Sequence, residues 1–139
     1  MHDLQTIEQD RIKILYIDDD LDQLLLFQLK FKNKFEVFVA ESGQNGLEIL
    51  KNNKGIDVVI SDYNMPSMNG LEFIEEARKI KNNIPFYILS SSPETCEISE
   101  AIQNKLIDYF FKKPFVMNYI INEIYIYYKY DIIKTLHNY

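Results

Sequence analysis

Acidic side chains gather at two places where they could do chemistry. "YIDDD" places Asp18, Asp19 and Asp20 directly after an apolar run, and "VVISDYNMPSMNG" places Asp62 directly after another. A carboxylate is expensive to desolvate, so an acid closing a buried run needs a reason beyond packing. Acids held in one site also repel and raise each other's pKa unless something positive joins them. A hard divalent cation such as Mg²⁺ would serve, because it takes oxygen ligands and keeps several waters. A lysine would also serve, and "FFKKPF" closes a further apolar run with Lys112 and Lys113. A fourth run, "PFYILS", closes on a hydroxyl, Ser90.

These groups can meet only if the chain folds so that the ends of distant runs coincide. Five β-like runs are visible: 12–17, 35–40, 57–61, 85–90 and 108–111. Most are continuous apolar blocks rather than alternating ones, which suits strands covered on both faces. Helical spacing fills the gaps. Leu21, Leu24, Leu25, Gln28 and Leu29 begin the first helix, with Asp20 as N-cap. Gly46, Leu47, Ile49 and Leu50 mark a second; Leu71, Phe73, Ile74 and Ala77 mark a third. A fourth is expected over about 93–105, with Pro93 in its first turn, and a fifth from near Phe115 almost to the end. Strict βα alternation predicts an open, doubly wound parallel sheet with right-handed crossovers. In such a sheet, ordered 2-1-3-4-5, ligands bind beyond the carboxyl ends of strands one and three, where the order reverses. Asp18, Asp19 and Asp62 then converge there.

Composition narrows the function classes. The chain has 139 residues, 47% of them hydrophobic and 26% charged, which fits one soluble globular domain. A net charge of −6 and scattered lysines argue against nucleic-acid binding. The single cysteine, Cys96, excludes an intrachain disulfide and a cysteine cluster for zinc. No signal peptide is visible in "MHDLQTIEQDR". Glu123, Lys129 and Asp131 interrupt the most apolar late stretch, so no membrane span is expected and cytoplasmic residence is the default. His2 and His137 are expected at the surface, away from the acids.

"ILYIDDD", "VVISDYNMPSMNG", "YILSSS" and "KKPF", in this order at four strand ends, resemble the receiver domain of bacterial two-component response regulators over about residues 11–125. The resemblance implies the flavodoxin-like (βα)5 fold. It implies that Asp62 is the phosphoacceptor, attacking a phosphohistidine on a sensor histidine kinase or histidine phosphotransfer protein. Asp18 and Asp19 would organise Mg²⁺ (Mn²⁺ substituting), with Asp19 the direct ligand, and Asp62 and the Asn64 backbone carbonyl would complete the metal set. Ser90 would be the switch hydroxyl, with Ser91 and Ser92 as neighbours one and two positions on. The family's lysine directly precedes its proline, which selects Lys113, in a cis Lys113–Pro114 bond, and makes Phe110 the switch aromatic. Lys112 in that role would put Tyr109 there instead. A phenylalanine at this place implies an inward rotamer bias. Asn64 and Ser92, two residues past Asp62 and Ser90, would tune the lifetime of the acyl phosphate. Phosphoryl transfer asks mainly for positioning and charge neutralisation, which these residue types supply.

The expected organisation is an N-terminal tail over 1–10, a receiver domain over 11–129 and an extension or tail over 130–139. With no output domain expected, the protein would be a stand-alone signalling phosphoacceptor rather than an enzyme. It would act on a downstream protein, or form a homodimer, through the face of the fourth helix, fifth strand and fifth helix. In the tyrosine-rich last helix, Ile120, Ile124, Tyr128 and Ile132 form one stripe. Tyr119, Ile126, Tyr130 and Ile133 form a second, which would stay exposed. Two alternatives compete. An unphosphorylated pseudo-receiver adaptor would have a broken acceptor site. A haloacid-dehalogenase-type phosphatase would need a Thr or Val two beyond the D-x-D in "DDDLDQL", and none is present.

Overall fold

The computed structural model describes residues 11–137, with side chains through Lys129. The tail over 1–10, His2, and the side chains of Tyr130, Ile132, Ile133 and His137 lie outside the described residues. Five strands, β1 (Lys13–Ile17), β2 (Glu36–Ala40), β3 (Val58–Ser61), β4 (Phe86–Ser90) and β5 (Tyr109–Lys112), alternate with five helices among the described residues. The helices are α1 (Leu21–Phe31), α2 (Gly43–Asn52), α3 (Gly70–Ile80), α4 (Cys96–Gln103) and α5 (Met117–His137). All strand pairs are parallel, in the order β2-β1-β3-β4-β5. The continuous apolar runs are explained by position: β3 and β4 are buried along their whole length, whereas β2 and β5 are edges and only partly covered. No helix among the described residues is long and apolar enough to cross a membrane.

Each face of the sheet has its own core. One face packs Leu15, Ile17, Val59 and Ile88 against Leu47 and Leu50 of α2, Phe73 and Ile74 of α3, and Ile98 of α4. The other packs Ile14, Tyr16, Val58, Ile60 and Leu89 against Leu24, Phe27 and Phe31 of α1 and Ile120 and Ile124 of α5. Side-chain caps set the helix starts. Asp20 accepts from the Asp22 N–H, Ser42 from Asn45, and Asn69 and Glu72 form a reciprocal capping box.

The buried face of α1 joins Leu24 to Phe27 and Phe31, while Leu21, Leu25 and Leu29 are exposed. The reason is an aromatic stack, with the Tyr16 and Phe27 ring centroids 4.2 Å apart and Phe27 and Phe31 4.5 Å apart. Pro93 lies outside α4, which starts at Cys96 because the Thr95 hydroxyl accepts from the Ile98 N–H. As expected, α5 starts near Phe115, at Met117, and runs as one helix to His137. Within it Ile120 and Ile124 are buried, while Tyr119 and Ile126 are exposed.

One glycine determines how closely α3 approaches the strand ends. A Cβ on Gly70 would lie 2.3 Å from the Asp62 carbonyl oxygen and 2.8 Å from the Ile88 side chain, and the Gly70 N–H donates to the Tyr63 carbonyl at 2.8 Å. The obstacle is backbone, which cannot swing aside. Gly70→Ala is therefore expected to destabilise the protein by about 2–3 kcal/mol, read from chemical denaturation, and to displace the loop after β3.

Candidate functional site

The carboxyl ends of β1 and β3 lie side by side, with Ile17 opposite Ser61 in register. The Asp62 N–H extends that pairing by donating to the Ile17 carbonyl at 2.8 Å. Asp18 and Asp62 are buried and Asp19 is exposed, and one carboxylate oxygen from each lies within 4.8 Å of the others. Residues more than forty positions apart are thus brought into one acidic cluster by the doubly wound topology.

Lys113 answers that charge. Its Nζ lies 2.7 Å from Asp18 Oδ2 and 3.6 Å from Asp62 Oδ1. It follows β5 directly, and its N–H donates to the Ser90 carbonyl at 2.8 Å. Lys112, one residue earlier, is exposed on the outside of the edge strand. The Lys113–Pro114 bond is cis. Ser90 is buried at the end of β4, and its Oγ accepts from the Ser92 N–H at 3.2 Å, while Ser91 is exposed. Phe110 is half-buried against the core on the α4 side, and Tyr109 is exposed. The structure therefore brings Asp18, Asp19, Asp62, Ser90 and Lys113 to one edge, with Phe110 beneath it.

Burial dominates the electrostatics of Asp62. It pushes the carboxyl up from 3.8 to about 6, against the attraction of Lys113 and the Tyr63 N–H, and Asp18 and Asp19 push it the same way. The donor set is all oxygen, and one lysine does not neutralise three acids. That chemistry fits a hard divalent cation.

Three contacts of the site went unnoticed in the sequence. Tyr16 donates its hydroxyl to Asp18 Oδ2 at 2.6 Å, and burial pushes its phenol up, so it stays a donor. Strand alternation could have revealed it, because residues two apart share a face. Asn64 Nδ2 donates to Ser92 Oγ at 2.7 Å, linking the loops after β3 and β4. Tyr63 donates its hydroxyl to Glu97 of α4 at 2.6 Å. Only the fold joins those last two pairs.

A doubly wound sheet with acids, a hydroxyl and a lysine at its switch point defines a narrow class of proteins. The chain belongs to the response regulator receiver domain family, whose model matches residues 14–125. It is 26% identical over 112 residues to Two-component response regulator ORR3 of Oryza sativa subsp. indica, covering 78% of this chain and 85% of that protein. It is 33% identical over 102 residues to Transcriptional regulatory protein GlrR of Escherichia coli (strain K12), covering 73% of this chain and 22% of that protein. With Two-component response regulator ARR11 of Arabidopsis thaliana the figures are 30% over 103 residues, 73% and 20%. The chain thus spans about a fifth of the length of GlrR and ARR11. Among solved structures, the receiver domain of the Francisella response regulator 1452 superposes with a TM-score of 0.73 at 28% identity, covering 86% of this chain and 98% of that one. A Rhodopirellula baltica structure described as adenylate cyclase superposes with a TM-score of 0.81 at 29% identity, covering 92% and 96%.

The raised Asp62 pKa has a consequence for stability. An acid whose folded pKa exceeds its unfolded value destabilises the fold when ionised. The penalty is fully present above about pH 6 and vanishes as pH falls toward 3.8. In EDTA at pH 7.5 or so, Asp62→Asn should stabilise the protein by about 1–3 kcal/mol. That advantage should shrink as pH is lowered through 6, as followed by denaturant melts.

Proposed function

We propose that this receiver domain takes a phosphoryl group onto Asp62 from a phosphohistidine of a sensor histidine kinase or histidine phosphotransfer protein. The observation that carries the reading is the grouping of Asp62 with Lys113, Asp18 and Asp19 at one sheet edge. An Asp62 oxygen bonds to phosphorus, the bond from phosphorus to imidazole nitrogen breaks, and its electron pair stays with the imidazole. Lys113 leaves Asp18 to pair with the incoming phosphoryl oxygens, and the Ser90 hydroxyl donates to another of them. Asp19, Asp62 and the Asn64 backbone carbonyl would hold Mg²⁺ or Mn²⁺, with Asp18 beside them. Bound there, the ion supplies positive charge that offsets the acids and the oxygens in transfer. The side chains of Asn64 and Ser92, bridged over the site, set how readily water reaches the acyl phosphate.

Phosphorylation adds about two negative charges at this edge. Ser90, drawn toward the phosphoryl group, vacates space that Phe110 fills, and the face of α4, β5 and α5 is repacked. This is a population shift between two packings, with the phosphoryl group favouring one. Ile102, Tyr109 and Tyr119 are exposed on these elements, for a downstream protein or a second copy. A protein donor has apolar surface to meet on α1, where Leu21, Leu25 and Leu29 are exposed. Beside them a groove of about 650 Å³ runs from Lys113 past Leu26 to Met117. The protein works by contact in the cytoplasm, with no nucleic acid or membrane as partner. The adaptor alternative requires a broken acceptor site, and every residue type expected there is present in the sequence.

Intact mass after incubation with acetyl phosphate and MgCl₂ tests the reading. The wild type should gain one phosphoryl group, and neither Asp62→Ala nor the wild type in EDTA should gain any. Equal labelling of Asp62→Ala would refute Asp62 as the acceptor.

A further inference from the structure

Asp18 carries more hydrogen bonds than an acid waiting for a cation needs. Its Oδ1 accepts from the Asp20 N–H at 3.0 Å. Its Oδ2 accepts both from Lys113 Nζ at 2.7 Å and from the Tyr16 hydroxyl at 2.6 Å. A carboxylate offers about four lone-pair positions, and two donors fill those of Oδ2. One position remains, on Oδ1.

The phenol that makes this arrangement is held rigidly. Tyr16 is 1% exposed within β1, and its ring stacks on Phe27 at 4.2 Å and an interplanar angle of 19°. Phe27 is itself packed by Phe31 and Phe115. The hydroxyl therefore stays beside Asp18 whether or not an ion arrives. Lys113 can swing away toward Asp62, but Tyr16 cannot.

We infer that Tyr16 is a positioning residue of the phosphorylation site, whose fixed hydroxyl draws charge from Asp18 and so limits the strength with which the acid cluster binds a divalent cation. The inference rests on reading Asp18, Asp19 and Asp62 as that cation's site. A hydrogen bond to a charged group is stronger than one between neutral groups, so a donor that persists in the ion-bound state weakens the carboxylate's pull on the ion. In Tyr16→Phe the stack is kept, and Lys113 and the Asp20 N–H still anchor one oxygen each. Orientation is thus retained while charge on Asp18 is released.

Calorimetric titration of the wild type, Tyr16→Phe, Asp18→Asn and the double variant with MgCl₂ provides the test. Tyr16→Phe should bind Mg²⁺ about three- to tenfold more tightly than the wild type, a fraction of one such hydrogen bond. In the Asp18→Asn background the same change should have no effect, because the carboxylate it acts through is gone. Unchanged or weaker binding by folded Tyr16→Phe, or an effect that persists without Asp18, overturns the inference alone. Absence of Mg²⁺ binding in the wild type overturns the cation-site reading and this inference with it. A second measurement covers the case in which Tyr16→Phe does not fold. With 3-fluorotyrosine at position 16, the ¹⁹F resonance should shift on MgCl₂ addition and saturate at the wild-type midpoint. A resonance unmoved by saturating MgCl₂ overturns the inference.

Discussion

Three carboxylates within 4.8 Å can share one end of a sheet only if their repulsion is answered. Lys113 answers part of it, and its position fixes much else. It must reach the acids from β5, two strands away from β3 across β4, so the sheet must be short and its edges must end together. The parallel register achieves this: Ile17 lies opposite Ser61, and Ser90 opposite Lys112. The long crossovers are the cost of that alignment, and they are what make α1 to α5 necessary.

The division of labour among donors follows from burial. Asp18 is almost fully enclosed and satisfied by three donors, whereas Asp62, also buried, has the Tyr63 N–H and a more distant lysine. Asp62 is accordingly left with unused lone pairs, and burial raises its pKa. It is the less well satisfied of two enclosed neighbours.

Much of this was legible in the sequence because it depends on chain order. Continuous apolar runs such as "DVVIS" and "PFYILS" gave the strands, and alternation with helices gave the topology that joins Asp18 to Asp62. The adjacency of Lys113 and Pro114 separated it from Lys112, which the structure places on the outside. What stayed hidden depends on side chains meeting across the fold. The buried face of α1 was not legible because it depends on an aromatic stack whose other members, Tyr16 and Phe115, lie on different elements. The start of α4 was missed because Pro93 is a strong local signal and Thr95 a weaker one, yet the threonine hydroxyl makes the cap. The bridge between Asn64 and Ser92 spans two loops and leaves no local trace.

The hydroxyl of Tyr63, tied to Glu97, fastens the residue after Asp62 to the first turn of α4. A strap of that kind transmits in both directions. Whatever alters the acceptor loop must either carry α4 with it or break the strap, and a protein gripping Glu97 from outside pulls on the loop in return. By thermodynamic linkage, a binder that prefers one state of the helix must bias the state of the loop after β3 by the same free energy. The acidic edge and the α4 face are in this sense one device.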